Sequence, residues 1–492
     1  MIRIFSAKQQ KHLDEFTIQH EPISSVDLMN RAARAVTDEL IELITSENQV
    51  VLLCGTGNNG GDGLAAFRYL KQKGIPATCY LVSFGKMSDD CEQQFKTVEQ
   101  EIRSWDSNSR PVATGNTIVI DALLGLGANR EPAGVLKEAI EWINAVNCPV
   151  YSIDLPSGLP ADELPSHHCI VRATQTWTFH APKLTFLLPE TAEFVGDWKI
   201  LDIGLDQAES LNLSTNYQVI LPEGLHSLLS ERKRFSHKGT YGHGLLIAGS
   251  DGKMGACLLS SEAALRSGMG LLTVHTVLQG KCCLHQRVPE AMAQWDINEN
   301  ELSGDFTPDF EVYSAVGIGP GTGTSKGVRI LLERILLAKI PSVIDADALN
   351  ILAAHPDLME HLHENCILTP HPKEFERLAG GTFANSLDRL DKAIRFAADH
   401  HCCLVLKDAI TAVIHPNGRI HFNTTGNPGM AKGGSGDVLT GIILSCITQG
   451  MQPFDAARLA VFHHGLAGDK AKELHGERAM LPRDLITNLH IG

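Results

Sequence analysis

The sequence predicts an α/β protein of two domains, each built on a mainly parallel sheet, the second larger than the first. Three observations predict it. Short apolar runs alternate with segments of helical spacing along most of the 492 residues. Glycine-rich stretches follow several of those runs, at the strand-to-helix turns where parallel sheets bind ligands. A polar stretch without period, residues 205–216, interrupts the alternation, which then restarts. The boundary falls there, giving domains 1–215 and 222–492, each long enough for a core of its own.

In the first domain, strands are expected at 49–54, 77–84, 117–124 and 149–154, with helices at 64–73, 88–103 and 133–145. In the second, strands are expected at 243–248, 271–277, 313–318, 342–345, 367–369 and 403–406. Helices are expected at 256–267, 436–448 and 454–474. Hydrophobic residues are 43% and charged residues 20%, which excludes a disordered chain. The formal charge of -15 argues against nucleic acid or an anionic membrane as partner. No apolar run approaches the roughly 18 residues of a membrane span, and the start carries no secretory apolar segment. Twelve cysteines without a CxxC spacing read as reduced thiols in a cytoplasmic protein. The doublets Cys282-Cys283 and Cys402-Cys403 are expected to pack in the core.

After the first strand comes Gly55-Thr56-Gly57-Asn58-Asn59-Gly60-Gly61-Asp62-Gly63. Gly55, Gly57 and Gly60 satisfy GxGxxG between a strand and a helix, where backbone N–H groups and the helix N-terminus favour anions. A dinucleotide dehydrogenase would place an acid at the end of the next strand for the ribose, but Val82-Ser83-Phe84 has none. Asn58, Asn59 and Asp62 instead supply oxygen ligands suited to a cation or a polar ring. Asp121 and Asp154 end the third and fourth strands, and Ser157 follows. Parallel strands deliver their ends to one rim, so Asn59, Asp121, Asp154 and Ser157 should converge. A single such Asp could equally cap a helix or turn.

GTGNNGGDG, DALLGLG and DLPSG together resemble the NAD(P)H-hydrate epimerase family over residues 4–205, which implies a Rossmann-like fold. The resemblance implies that Asn58, Asn59, Gly60, Gly61 and Asp62, with Gly125, Leu126, Gly127, Ala128, Asn129, Arg130 and Glu131, bind a hydrated nicotinamide dinucleotide. It implies a potassium ion on Asn59, Asp121 and Ser157. Asp154 would contact the substrate and handle its proton.

In the second domain, Gly317 to Gly323 (GIGPGTG) follows a strand, where a ligand loop and a plain flexible turn fit equally. Asp345 and Asp347 end another strand, and either could be a helix cap. His371 sits between two prolines in Thr369-Pro370-His371-Pro372, aimed outward. The densest signal is Asn427 to Gly441 (NPGMAKGGSGDVLTG), where glycines feed a helix whose first turn carries Asp437. Consecutive N–H groups there suit a transferring phosphoryl group, and a carboxylate beside them can take a proton from a hydroxyl. The plainer reading makes Asp437 a first-turn acid offsetting the helix dipole.

These motifs, with KGTYG, IAGS, ALRSGMG, IDADALN and TPHP in order over residues 234–487, resemble the ADP-dependent NAD(P)H-hydrate dehydratases of the ribokinase-like fold. The resemblance implies that Ala256, Gly321, His371 and Asp437 contact the hydrated substrate. It assigns Lys407, Asp408, Ala409, Ile410, Thr411 and Gly436 to the adenine nucleotide. Lys373, Asp408 and Lys432 depart from the family pattern. The expected activity is repair of hydrated NADH and NADPH: epimerisation of the R and S hydrates, then ADP-dependent dehydration of the S form, with magnesium on the nucleotide. A homo-oligomer is the expected assembly. The alternative is a ribokinase-like kinase of a small alcohol joined to a silent binding module.

Overall fold

The computed structural model describes residues 1–106, 109–127, 130–229 and 231–491. They divide into two compact units, Arg3–Thr215 and, together with Met1–Ile2, Asn216–Gly492. Strand β1 is Ile2–Arg3. The first unit then contributes β2 (Gln49–Cys54), β3 (Ala77–Leu81), β4 (Arg103–Ser104), β5 (Thr117–Ala122), β6 (Val150–Ile153), β7 (Gln175–Phe179) and β8 (Asp197–Leu201). Its sheet runs β4-β3-β2-β5-β6-β7-β8, and every pairing is parallel.

The longer helices of this unit are α1 (Ala7–His20), α2 (Ser25–Leu43), α3 (Asn58–Gln72), α4 (Asp89–Val98) and α5 (Gly134–Ala145). Ser6 and Gln9 close a capping box on α1, and Ser24 and Asp27 do the same for α2. The α2 face Leu28, Ala32, Ala33, Val36 and Leu40 is buried. Chain order steps from β2 outward to β3 and β4, then returns to β5 on its other side. The C-terminal ends of β2 and β5 are therefore neighbours at the point where the order reverses, with Cys54 opposite Ala122. A crevice forms there because the two following loops diverge.

The second unit contributes β9 (Tyr217–Val219), β10 (His243–Ile247), β11 (Leu271–Thr276), β12 (Met292–Trp295), β13 (Ala315–Ile318) and β14 (Ser342–Ile344). They continue with β15 (Cys366–Leu368), β16 (Cys403–Leu406), β17 (Thr411–Ile414) and β18 (Ile420–Asn423). The eleven-stranded sheet runs β1-β9-β18-β17-β16-β15-β14-β13-β10-β11-β12. Strands β10 to β16 pair in parallel, and β17 is antiparallel to both its neighbours. Here the order reverses at β10, between β11 and β13.

Both units are α/β with parallel sheets, as the alternation predicts, but the sheets are wider than expected. Strands β7 and β8 escaped the reading because residues 154–174 cross from β6 without a helix. The helix expected at 64–73 begins earlier, at Asn58. Glycines disfavour a helix interior, yet contact requires one here: a Cβ on Gly60 would lie 2.0 Å from the Gly55 carbonyl oxygen. The helix expected at 88–103 stops at Val98. The stretch 205–216 holds a short helix, Gln207–Asn212, capped by Asp206. Cys402 and Cys403 are buried, but Cys282 is exposed on a short surface helix. Among the described residues, no helix is long and apolar enough to cross a membrane.

Helix Ser435–Thr448 is buried along most of its length and packs on helix Met254–Arg266. The approach is close: a Cβ on Gly441 would stand 2.2 Å from the Ser260 carbonyl oxygen, which is backbone and cannot swing aside. Gly441→Val should therefore destabilise the second unit by at least about 1–3 kcal/mol through overpacking. Urea unfolding followed by loss of the second unit's circular dichroism checks this. An unchanged midpoint would show that the two helices can separate freely.

Candidate active sites

In the first unit, the loops after β2, β5 and β6 meet. Asp121, at the end of β5, is fully buried; it accepts hydrogen bonds from the Ser157 hydroxyl at 2.5 Å, the Ser157 N–H at 2.9 Å and the Ser152 hydroxyl at 2.8 Å. Asn59 donates its amide N–H to the Leu124 carbonyl at 2.8 Å, and the Ser157 hydroxyl lies 3.3 Å from that same carbonyl. The Asn59 Oδ1 atom is buried with no hydrogen-bond partner among the described residues. An orphaned amide oxygen beside a carboxylate, a hydroxyl and a backbone carbonyl is an all-oxygen donor set, which fits a hard cation. Asn59, Asp121 and Ser157 thus converge.

Asp154 follows β6 with φ +63°, an uncommon conformation for a residue with a side chain. Its Oδ1 accepts a 2.8 Å hydrogen bond from Lys183 Nζ, a lysine with 0% exposure that also donates to Thr178 Oγ1 at 2.8 Å. Asp154 shares a cavity of about 130 Å³ with Asn58, Asp62 and Leu126, and with Asp14 of α1, which the sequence reading missed. Burial pushes the Asp62 carboxyl well above the usual range, and the charge of Asp154 adds to this. Gly125 stands against Asn59 and Asp154, since its missing Cβ would meet them at 3.2 and 3.7 Å. Gly60 and Gly61 lie inside α3, where they allow close packing on Gly55 and Met29. Gly127, Arg130 and Glu131 lie outside the cavity lining. Ala128 and Asn129 lie outside the described residues.

In the second unit, the loops after β10 and β13 meet where the strand order reverses. Ser250 Oγ donates to the Gly321 carbonyl at 2.7 Å, and a Cβ on Gly321, whose φ is +64°, would lie 3.1 Å from Ala256 Cβ. Neither strand-end acid caps a helix with its side chain. Asp345 accepts from Lys407 Nζ at 2.8 Å and Thr440 Oγ1 at 2.6 Å, while Asp347 accepts from the Gly323 N–H at 2.8 Å and Lys253 at 3.1 Å. Gly436 adjoins this cluster, since its Cβ would lie 3.4 Å from Lys407 Nζ. Burial opposes the Lys407 charge, but Asp345 and Glu374 outweigh it and raise its pKa. Burial pushes the Asp437 carboxyl up to about 7, and the charge of Asp345 adds to it. Gly434, at φ +106°, turns the chain into the helix that carries Asp437 on its first turn.

His371 caps helix Pro372–Leu378, in a box with Glu374, and its ring is half exposed; burial lowers its pKa. The hairpin from Lys407 to Thr411 joins β16 to β17. Asp408 in it is held by Arg389 at 2.5 Å, and Ala409 and Ile410 are surface residues of that turn. Two departures from the family pattern are thus occupied elsewhere, since Lys432 donates to the Arg478 and Met480 carbonyls. Lys373 is exposed. A larger cavity of about 1350 Å³ opens at the opposite edge of this sheet, around Arg232 and Gln449, and holds none of the expected residues.

The sequence reading missed Lys183 and Asp14. A lysine in His180-Ala181-Pro182-Lys183 carries no motif, and α1 precedes every glycine loop. Only the fold shows that the lysine is buried and that α1 closes the cavity.

Two protein families match the chain: one described as NAD(P)H-hydrate dehydratase over residues 244–490, and one described as YjeF-related protein N-terminus over residues 25–185. Relatives span both units. A bifunctional NAD(P)H-hydrate repair enzyme of Moorella thermoacetica is 33% identical, covering 98% of this chain and 95% of its own length. One of Coxiella burnetii is 32% identical, covering 100% and 99%. One of Escherichia coli is 33% identical, covering 94% and 88%. A solved ADP/ATP-dependent NAD(P)H-hydrate dehydratase of Bacillus subtilis, crystallised with ATP and Mg2+, is 32% identical; it covers 56% of this chain and 97% of its own, with a TM-score of 0.49.

The raised Asp437 carboxyl also sets a pH dependence of stability. The folded state holds this proton more tightly than the unfolded state does. Its stabilising contribution is complete below the ordinary carboxyl pKa, about 4, and is lost as pH rises through about 7. Asp437→Asn should therefore melt at a higher temperature than the parent at pH 8, with the gain shrinking towards zero near pH 4. Equal melting temperatures at pH 8 would show the carboxyl to be solvated.

Proposed function

The chain belongs to the family of bifunctional NAD(P)H-hydrate repair enzymes, and we propose that Asp154 and Asp437 are the proton-handling residues of its two reactions. The enzyme restores NADH and NADPH whose nicotinamide ring has taken up water. It interconverts the R and S hydrates and dehydrates the S form in an ADP- or ATP-dependent reaction.

For dehydration, the ring hydroxyl is a poor leaving group, and phosphorylation makes it a good one. Asp437 accepts the hydroxyl proton as the oxygen attacks the terminal phosphorus of ADP, and AMP departs. The N–H groups of residues 433–436 face the charge that develops on the phosphoryl oxygens. Loss of phosphate and of a proton from the adjacent carbon then forms the ring double bond. The observation that carries this reading is Asp437 on the first turn of a glycine-fed helix, with its carboxyl near neutrality beside the Lys407–Asp345 pair. Lys407 and Gly436 hold the nucleotide phosphates, and the hairpin through Asp408, Ala409, Ile410 and Thr411 borders its adenosine. Ala256, Gly321 and His371 border the hydrated ring. A magnesium ion carried on the phosphates would spread their charge.

For epimerisation, Asn58, Asp62, Gly125 and Leu126 surround the hydrate, and Asp154 handles the proton exchanged when its configuration is lost. Asn59, Asp121 and Ser157 would hold a potassium ion, which would add positive charge beside an anionic dinucleotide. The unpartnered Asn59 oxygen supports that assignment. The described cysteines are all free thiols, which supports a cytoplasmic setting. Self-association of the chain belongs to the same proposal, and sedimentation reads it.

Reduced nicotinamide absorbs near-ultraviolet light and its hydrate does not, so recovery of absorbance follows repair directly. Asp437→Asn should abolish recovery with ADP while R and S still interconvert. Recovery near the parent rate would reduce Asp437 to a helix-dipole acid. A phosphorylated hydrate that accumulates without recovery would favour the alcohol-kinase alternative.

Asp154→Asn should give a fast phase for the S fraction of a racemic hydrate, then a slow tail. Potassium withdrawal should lengthen the same tail in the parent. The substitution leaves Lys183 buried without its counter-charge, a loss of about 3–5 kcal/mol. The fast phase therefore also reports that the second unit stays active. One fast phase consuming both epimers would remove Asp154 from the mechanism.

A further inference from the structure

Inverting the carbon that bears the ring hydroxyl takes two proton transfers. One proton leaves with the departing oxygen, and another is lost when water returns to the opposite face. A single carboxylate fixed by an ion pair is poorly suited to both, because the two transfers occur on different faces of the ring. Asp154 is fixed in that way, with its Oδ1 held by the wholly buried Lys183 at 2.8 Å.

The cavity it borders has a second wall. α1 contributes Gln10, Asp14 and Ile18 to the lining, together with residues of α2, Asn58 and Asp62 of α3, and Asp154 after β6. Asp14 is half-buried, and among the described residues no hydrogen bond or ion pair engages its side chain. α1 also lies outside the family match, which begins at residue 25.

We infer that Asp14 is a second catalytic residue of epimerisation, paired with Asp154 in the cavity that both line; this rests on the epimerase reading of the first unit. In one direction the Asp14 carboxyl gives its proton to the ring hydroxyl. The carbon–oxygen bond breaks, water leaves, and the ring nitrogen lone pair forms a carbon–nitrogen double bond. Water then adds to the other face, the electron pair returns to nitrogen, and Asp154 takes the proton that water loses. Asp14 is now a carboxylate and Asp154 an acid, the arrangement that runs the reverse conversion. Exchange with solvent resets the pair.

The electrostatics agree with this geometry. Burial pushes the Asp14 carboxyl up to about 7, and the charge of Asp154 adds to it, while Lys183 opposes and neighbouring Glu15 adds a little. A group near neutrality gives and takes a proton with little loss in either direction. Asp62 and Asp90 also face the cavity. Burial pushes the Asp62 carboxyl well above the usual range, and Asp90 accepts a 2.8 Å hydrogen bond from Ser25.

The test uses the full-length enzyme without ADP, so that dehydration is silent. Purified S hydrate is incubated with it, and R hydrate is resolved by chromatography across pH 5 to 9. The wild-type rate should change through an inflection near pH 7. Asp14→Asn, which keeps the shape of the protonated acid, should lose that inflection and slow by about 100-fold or more. With ADP restored, its S-hydrate repair should match wild type. A wild type that makes no R hydrate overturns the epimerase reading and this inference together. An active wild type without the inflection overturns the inference alone, as does an Asp14→Asn rate within threefold of wild type. The first of these outcomes needs no variant, and the second is given only by a variant that has folded, so a misfolded variant can produce neither.

Discussion

Parallel strands cannot be joined by tight turns, and that constraint places everything else. Each strand must be followed by a crossover, so all the C-terminal ends of a sheet fall along one edge. Where the strand order reverses, neighbouring loops part and leave a crevice. In the first unit this happens between β2 and β5, and in the second at β10, beside β13. The glycine stretches after β2 and β13 are where backbone must pass close to backbone or to a ligand. The acids that end β5, β6 and β14 are carried to those edges by the strands themselves.

The two sites share an electrostatic plan. Each has a lysine–aspartate pair at 2.8 Å, the buried Lys183 with Asp154 and the part-buried Lys407 with Asp345. Each also has a second carboxyl that burial holds near neutrality, Asp14 in one and Asp437 in the other. A fixed charge and a poised acid in one cleft is the arrangement by which carboxyl groups divide acid and base roles. The roles differ because the surroundings differ. Asp437 stands on a helix N-terminus fed by glycines, which suits phosphoryl oxygens, whereas Asp14 lies mid-helix against a small cavity with no such array of N–H groups.

Much of this was legible in the chain, and what was hidden has physical causes. The strands nearest the reversal points are buried on both faces and read as plain apolar runs, so β2, β5, β10 and β13 stood out. Asn59 is named from the glycine loop after β2, Asp121 from the end of β5, Ser157 from the loop after β6, and Asp437 from the glycine stretch that enters helix Ser435–Thr448. Strands β7 and β8 were hidden because the connection before β7 forms no helix. The start of α3 was hidden because three glycines break its propensity while serving its packing. Lys183 and Asp14 were hidden for another reason. A buried lysine looks like a surface lysine in sequence, and a mid-helix aspartate looks solvated; only tertiary packing separates them.

The backbone at Asp154 has a consequence for how this site can change over generations. Its left-handed conformation suits glycine better than aspartate, by roughly 1 kcal/mol. Taken alone, that preference would let a drifting lineage relax the strain and discard the acid in one step. Lys183 reverses the balance, because stranding its buried charge costs about 3–5 kcal/mol, several times the relief gained. The acid is therefore guarded by a neighbour that need not touch the substrate at all. Loss of the carboxylate should be seen in descendants chiefly where the lysine has already been replaced by an uncharged residue.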